Sequence, residues 1–199
     1  MKTEEVNEKK LESFVIANPI YDTAFRKFMG NLHTVKFFIG TILEQQIEDV
    51  SFLPQKHPYG EELDYVDFFI FRLYIIASVC TDEGKCEKRL IEVLKSWKTI
   101  DVIYFRDYTG NLHTKEVIID GEKTTMPITT IYILGGDILP EIDCPCIKVG
   151  HICTDMMKRI EIKTKSEFIE ELAPDCYVIQ AGRKITDRRY TTDLDNLLG

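Results

Sequence analysis

Four potential soft metal ligands occupy ten consecutive positions of the chain: Cys144, Cys146, His151 and Cys153. Thiolates and imidazoles are ligands that zinc prefers, so the chemistry of the set fits a zinc site. The spacing fits less well, because structural zinc sites usually separate paired cysteines by about two to four residues. The patterns C-x-C and H-x-C instead place residues on the same face of a strand. We expect a β-hairpin with small apolar side chains, and a zinc site is the alternative.

The other reactive residue types do not form a recognisable nucleophilic site. No Ser or Cys lies in a nucleophile motif, and Gly135-Gly136 lacks the pattern of a phosphate-binding loop. Three histidines are isolated in polar or turn segments: His33, His57 and His113. We expect all six cysteines to be reduced thiols, with Cys80 and Cys176 acting as small buried hydrophobic residues.

Length and composition are those of a globular protein. The 199 residues are 44% hydrophobic and 29% charged, which predicts one compact domain over residues 1–199. Residues 1–17 form a charged lead-in and residues 186–199 a polar tail. No apolar run is long enough to cross a bilayer and the start lacks a signal core, so we expect a cytoplasmic protein without a membrane partner.

The charge balance bears on nucleic-acid binding. The net charge is −8, and surplus Lys and Arg are what bind phosphate backbones. Tight non-specific binding of DNA or RNA is therefore not expected. The most basic stretches, 85–89 and 183–189, are interleaved with acids. Weak DNA contact at a local basic face and a homodimer stay open as partner hypotheses.

The first half of the chain predicts two helices, a strand and a long hairpin. Asp22 is a candidate N-cap for a helix over 22–29 that Gly30 ends. A second helix is predicted over 33–44 from its apolar spacing, and a short strand over 47–53. Residues 67–95 are rich in β-branched and aromatic types around the turn at 82–85, which predicts an antiparallel hairpin at the centre of a sheet.

The second half is less clear at its start. Residues 97–119 fit either helix or strand, and we expect the lone Trp97 to pack in the core. A buried strand is predicted over 128–134, because its apolar run is unbroken. The remaining predictions are a hairpin over 146–163, a short helix over 166–172 and a last strand over 176–180.

Five segments, taken in this order, resemble the PD-(D/E)xK nucleases of the recombination-promoting (Rpn, transposase-associated) family. They are NPIYDTAFRKFMG at 18–30, IEDVSFLP at 47–54, the hairpin at 73–95, PITTIYIL at 127–134 and the segment at 168–180. The resemblance covers roughly residues 15–195. It implies a restriction-endonuclease-like α/β core with a mixed central sheet flanked by helices. For residues 97–119 it favours helix, whereas composition alone favours strand.

The resemblance also implies a magnesium-dependent site. Such nucleases hold the metal with an Asp on the first hairpin strand and a Glu on the second, followed two residues later by Gln or Lys. Glu92 matches the Glu, but the next position of the motif is Leu94. The metal-binding Asp falls at Ala77, and a shifted register brings Ser78 or Ile76 there instead. None of the three is a carboxylate.

Further positions of the motif are altered. An acid that the family often carries after Leu-Pro falls near Lys56. Lys95 follows the site closely, but strand alternation points its side chain away from Glu92. The remaining acids that could replace the lost ligands are Asp64 and Asp67. Without such a replacement, Glu92 would pair with a nearby Lys or lie at a sheet edge in water.

The sequence therefore predicts a catalytically degenerate homologue that needs no cofactor. We expect Ala77, Glu92 and Leu94 to cluster on one face of the sheet, with Glu92 and Lys95 as vestigial catalytic residues. One alternative is an active magnesium-dependent DNA endonuclease that uses Asp64 or Asp67 with Glu92. The other is a protein–protein interaction module without nucleic-acid activity.

Overall fold

The structure is a computed structural model that describes residues 18–53, 70–81, 83–109, 114–142, 144–150, 153–163 and 176–182, without the side chains of 107–109. Its helices are α1 (Asp22–Met29), α2 (Leu32–Leu43) and α3 (Thr99–Thr109). Its strands are β1 (Gln46–Phe52), β2 (Ile70–Cys80), β3 (Cys86–Ser96), β4 (Thr114–Ile119), β5 (Glu122–Leu134), β6 (Cys146–Val149), β7 (Thr154–Asp155), β8 (Ile160–Glu161) and β9 (Cys176–Gln180). The described part of the chain is a mixed α/β fold.

One mixed sheet organises the described residues. Its strand order is β1-β2-β3-β5-β9-β6-β7-β8, and β4 pairs with β5 off this path. The neighbours β3–β5 and β5–β9 are parallel, whereas β1–β2, β2–β3 and β6–β9 are antiparallel. Parallel strands at the centre of a sheet are covered on both faces, which explains the continuous apolar run that ends β5.

The two faces of the β2–β3 hairpin belong to different cores. Side chains alternate along a strand, so Ala77 and Val93 lie on one face and pack with Phe25 of α1 and Ile39 of α2. Leu94 lies on the other face and packs with Val102 of α3. The hairpin therefore separates a compartment under α1 and α2 from a compartment under α3.

The first helix begins differently from the prediction. The N-cap residue is Tyr21, whose side chain makes no capping hydrogen bond, and Asp22 is the first helical residue. Asp22 forms an ion pair with Lys95 instead of capping the helix. The predicted end is confirmed, because the Gly30 N–H donates to the Arg26 carbonyl at 2.8 Å. In α2, Asn31 provides the cap by accepting from the His33 N–H at 2.9 Å.

Most of the predicted elements are present. The two N-terminal helices, the strand before the hairpin, the hairpin itself and the last strand all form within a few residues of their predicted bounds. At the start of residues 97–119 the structure has the helix that the resemblance favours, α3, and among the described residues the strand that composition favours is found only from Thr114, in β4. The predicted hairpin over 146–163 is instead three short strands, β6, β7 and β8, each paired with the next.

Two further predictions have different outcomes. The prediction that Trp97 packs in the core is wrong, because the residue is 49% exposed and meets the ring of Tyr21 edge-on at 5.3 Å. The predicted helix over 166–172 lies outside the described residues, as do the lead-in and the tail. Among the described residues, no helix is both long enough and apolar enough to span a membrane.

Candidate functional site

Glu92, the acid singled out by the sequence, lies in the middle of β3 and is 2% exposed. Its neighbour across the antiparallel pair is Tyr74 of β2, and its neighbour across the parallel pair is Thr130 of β5. Because directly opposite residues of neighbouring strands point to the same face, three polar side chains meet on the α3 side of the sheet. A buried carboxylate at this position requires partners for both of its oxygens.

The oxygens of Glu92 have those partners. The Tyr74 hydroxyl donates to Oε1 at 3.0 Å, and the Thr130 hydroxyl donates to Oε2 at 3.1 Å. Nη2 of Arg106 forms an ion pair and hydrogen bond with the same Oε2. Nε of Arg106 donates to the Tyr132 hydroxyl at 2.9 Å, and Nη2 lies 3.3 Å from the Thr130 oxygen. We call these five residues the buried Glu92–Arg106 network.

Helix α3 positions the guanidinium of Arg106 against the sheet. Val102 is fully buried against the sheet, and Arg106 lies one helical turn further along, on the same side of the helix. Arg106 is therefore only 6% exposed, although arginine is rarely buried without a partner. Because the helix lies over β3 and β5, it places a permanent positive charge beside the carboxylate of Glu92.

Burial and charge fix the protonation of the network. Burial opposes the charged form of Arg106, but the interactions with Glu92 and Tyr132 together outweigh it and the pKa of the guanidinium is raised. Burial also raises the pKa of Tyr74 and of Tyr132 well above their usual range. Both phenols therefore keep their protons at neutral pH, and Tyr74 remains a donor to Glu92.

The network does not fit a magnesium ion. Magnesium keeps its waters unless well-placed oxygens replace them, and it is repelled by a neighbouring cation. Here the oxygens of Glu92 already accept from three side-chain donors, and Arg106 supplies the positive charge. Within the described ranges, the one group of three metal-ligating side chains close enough to share an ion lies elsewhere, at Glu48, Cys80 and Cys86.

The predicted clustering of Ala77 with Glu92 is wrong. Ala77 pairs with Arg89, three positions from the pair that joins Tyr74 to Glu92. An odd offset on an alternating strand reverses the direction of the side chain, so Ala77 faces the α1 and α2 compartment. The residue of β2 that faces Glu92 is Tyr74. Leu94 lies on the Glu92 side, as predicted, where it packs beside Tyr132.

Lys95 belongs to the opposite face, as alternation predicts. Its Nζ donates to the Ile20 carbonyl at 3.0 Å, forms an ion pair with Asp22 and lies 5.4 Å from the ring centroid of Phe25. The hydrogen bond from Lys95 lowers the pKa of the Asp22 carboxyl. Lys95 anchors the start of α1 to the sheet and makes no contact with the Glu92–Arg106 network.

The partners of Glu92 were not predicted from the sequence. Neither predicted environment is correct, because the carboxylate meets an arginine in the interior rather than a lysine or water. The helix that the resemblance favours in this segment places Val102 and Arg106 on one face, and this spacing is the available signal. The alternative acids Asp64 and Asp67, and Lys56, lie outside the described residues.

The cysteines divide into two groups. Cys144 and Cys146 are buried, the Cys144 thiol lies 3.3 Å from the Cys146 carbonyl, and burial raises the pKa of the Cys146 thiol. These features fit small interior residues, while His151 lies outside the described residues.

The expectation that every cysteine is a thiol is wrong for Cys80 and Cys86, which form a disulfide across the hairpin. They are directly opposite on β2 and β3, which brings their sulfurs together.

Comparison of the chain with protein-family models, with curated proteins and with solved structures finds no match.

Proposed function

We propose that this chain is a non-catalytic homologue of the PD-(D/E)xK nucleases of the recombination-promoting family. In this proposal it has the restriction-endonuclease-like fold of that family and serves mobile-element or recombination biology as a binding or regulatory module. The order of two helices, a strand and a long hairpin supports the fold assignment, because the sequence resemblance implies that order. The parallel return from β3 to β5 is also compatible with a mixed nuclease-like sheet.

The single observation that carries the functional proposal is the contact of Arg106 with Glu92. A nuclease of this class needs the corresponding Glu free to bind a divalent cation that activates water and offsets phosphate charge. In this chain that carboxylate accepts hydrogen bonds from Arg106, Tyr74 and Thr130 in the interior. A guanidinium offers positive charge but no exchangeable water, so it cannot generate the nucleophile.

The facing side chains support the same conclusion. Tyr74 lies directly across from Glu92, and a neutral phenol is a poor ligand for a hard divalent cation. Leu94, two residues beyond Glu92, has no polar atom in its side chain and is fully buried. The described positions around Glu92 therefore provide one carboxylate for a metal that requires several oxygens.

The experiment is a cleavage assay on the full chain with supercoiled plasmid and single-stranded DNA, in magnesium and separately in manganese. Manganese is included because it tolerates poorer ligand geometry. We expect no nicking above buffer for the wild type, and no difference between the wild type and Glu92→Gln. Nicking by the wild type that Glu92→Gln abolishes would overturn the proposal in favour of an active endonuclease.

A further inference from the structure

Three potential metal ligands from three strands meet at the turn end of the β2–β3 hairpin. They are Glu48 of β1, Cys80 at the end of β2 and Cys86 at the start of β3. With the two sulfurs joined in a disulfide, all three ligand atoms lie within 4.8 Å of one another. This trio is about 20 Å along β3 from Glu92, from six residues at the usual strand rise. It is therefore separate from the Glu92–Arg106 network and does not rest on the proposed function.

The hairpin fixes the two cysteines opposite each other. Cys80 pairs with Cys86 in the strand register, and their Cα atoms are 3.9 Å apart. The turn that follows is closed by the Thr81 N–H, which donates to the Lys85 carbonyl at 2.9 Å. Side chains of a directly opposite pair share one face, so both sulfurs point the same way in either oxidation state.

A bulge in β1 brings the carboxylate to the same place. The register between β1 and β2 shifts between Ile47 and Asp49, which leaves Glu48 as the extra residue. Bulges of this kind redirect a side chain. The Glu48 carboxylate accepts from the Ser78 hydroxyl at 3.3 Å, and its backbone carbonyl accepts from Lys36 at 2.7 Å. Glu48 is thus held beside the cysteine pair while remaining exposed to solvent.

Two thiolates and one carboxylate are a ligand set for a thiophilic divalent cation such as zinc. With zinc–sulfur bonds of about 2.3 Å, tetrahedral geometry places two sulfurs about 3.8 Å apart. Opposite Cα atoms 3.9 Å apart allow two reduced side chains on one face to reach that separation, and the Glu48 carboxylate already lies within 4.8 Å of both sulfurs in the disulfide form. Since Glu48 is exposed, water can take the fourth position.

We propose that reduced Cys80 and Cys86, together with Glu48, bind a zinc-like divalent cation, and that the disulfide is the form unable to bind it. Interconversion needs a two-electron reductant, such as a low-molecular-weight thiol. Two such thiols give two electrons and two protons to the disulfide, become a disulfide themselves and leave Cys80 and Cys86 as thiols. The cation then displaces both protons as the thiolates bind it.

The test uses the full chain, reduced with a phosphine that is removed under nitrogen, and titrated with cobalt(II) as the spectroscopic probe and zinc as competitor. We expect one equivalent of cobalt, thiolate-to-cobalt charge-transfer absorption and displacement by zinc. The oxidised chain and the Cys80→Ser/Cys86→Ser variant should bind no cation. Glu48→Gln should weaken binding by about tenfold or more, because loss of even an outer-shell partner costs that much.

Cys153→Ser is the matched control, because Cys153 is the other partly exposed cysteine among the described residues and is not in the trio. Its binding should equal that of the wild type. Absence of a cobalt complex in the reduced wild type would overturn the proposal. So would binding that survives in Cys80→Ser/Cys86→Ser, binding by the oxidised chain, or full affinity in Glu48→Gln. Circular dichroism of each variant establishes that it is folded.

Discussion

The guanidinium of Arg106, on α3, donates to the carboxylate of Glu92, on β3, in a part of the interior where neither residue is more than 6% exposed. Breaking a buried pair by removing one partner leaves an uncompensated charge, whereas removing both partners does not. The pair therefore stabilises the fold, because it links the crossover helix α3 to the two central strands β3 and β5.

A double-mutant cycle tests whether the Glu92–Arg106 pair stabilises the fold. We expect Arg106→Met to lower the free energy of unfolding by about 3–5 kcal/mol, because Glu92 is then buried without its cation. Adding Glu92→Gln should restore part of the loss, since the charge has been removed. Urea denaturation of the wild type, both single variants and the double variant gives the coupling energy. Additive effects of the two substitutions would contradict the pairing.

The hydroxyl of Tyr74 should contribute to the same network. Tyr74→Phe removes a buried donor to a charged oxygen, and we expect a loss of about 1–3 kcal/mol in the free energy of unfolding. Tyr21→Phe is the control, because Tyr21 is 60% exposed and its loss of a hydroxyl should change stability little. Equal effects of the two substitutions, measured by urea denaturation, would argue that Glu92 does not depend on Tyr74.

A substitution at Ala77 distinguishes the observed register of the hairpin from the predicted one. Ala77→Asp places a carboxylate among the apolar side chains under α1 and α2, at a position that is fully buried. Its cross-strand neighbour Arg89 is already paired with Glu87, so we expect severe destabilisation. Ser51→Asp, on the exposed side of β1, should be nearly neutral. Thermal unfolding measures both. A stable Ala77→Asp protein would indicate that Ala77 faces solvent or the Glu92 network, contrary to the observed register.

Acid should weaken the anchor between Asp22 and Lys95. The pKa of Asp22 is lower in the folded chain than its ordinary value of 3.8, chiefly through the hydrogen bond from Lys95. Its contribution is therefore present above the unfolded pKa and is lost as the pH falls through the folded pKa. Because the carboxylate is largely exposed, the effect should be small.

The measurement is urea denaturation at pH values from about 5 down to about 3, where an unpaired Asp titrates. We expect Asp22→Asn to lose less stability over this range than the wild type. Asp49→Asn, an exposed residue of β1, should follow the wild type. Identical pH dependence in Asp22→Asn and the wild type would show that the ion pair does not stabilise the fold.

The elements of the fold were largely predictable because they depend on local patterns. The enrichment in β-branched and aromatic residues and the turn chemistry at 82–85 identify the hairpin, and the apolar spacing of α2 identifies a helix. The direction of individual side chains was not predictable to the same degree. A register error of any odd number of residues reverses the face, and an error of three residues is what separates Ala77 from Tyr74 as the neighbour of Glu92.

The site depends on contacts between residues that are distant in sequence. Arg106 meets Glu92 only because α3 crosses from β3 to β5, and Thr130 meets it only because those strands are parallel neighbours. The local propensities of the residues predict neither the path of the helix nor the pairing of the strands. The bulge at Glu48 is likewise a property of strand pairing, so its approach to Cys80 and Cys86 could not be predicted from spacing.

Manganese binding at Glu92 tests the central claim most directly, because an ion at this carboxylate must displace Arg106 whether or not any DNA is present. The titration uses electron paramagnetic resonance on the full chain in the Cys80→Ser/Cys86→Ser background, so that the cysteine pair cannot contribute. We predict equal, weak binding before and after Glu92→Gln. A manganese site that is present with Glu92 and lost with Gln at that position would contradict the account.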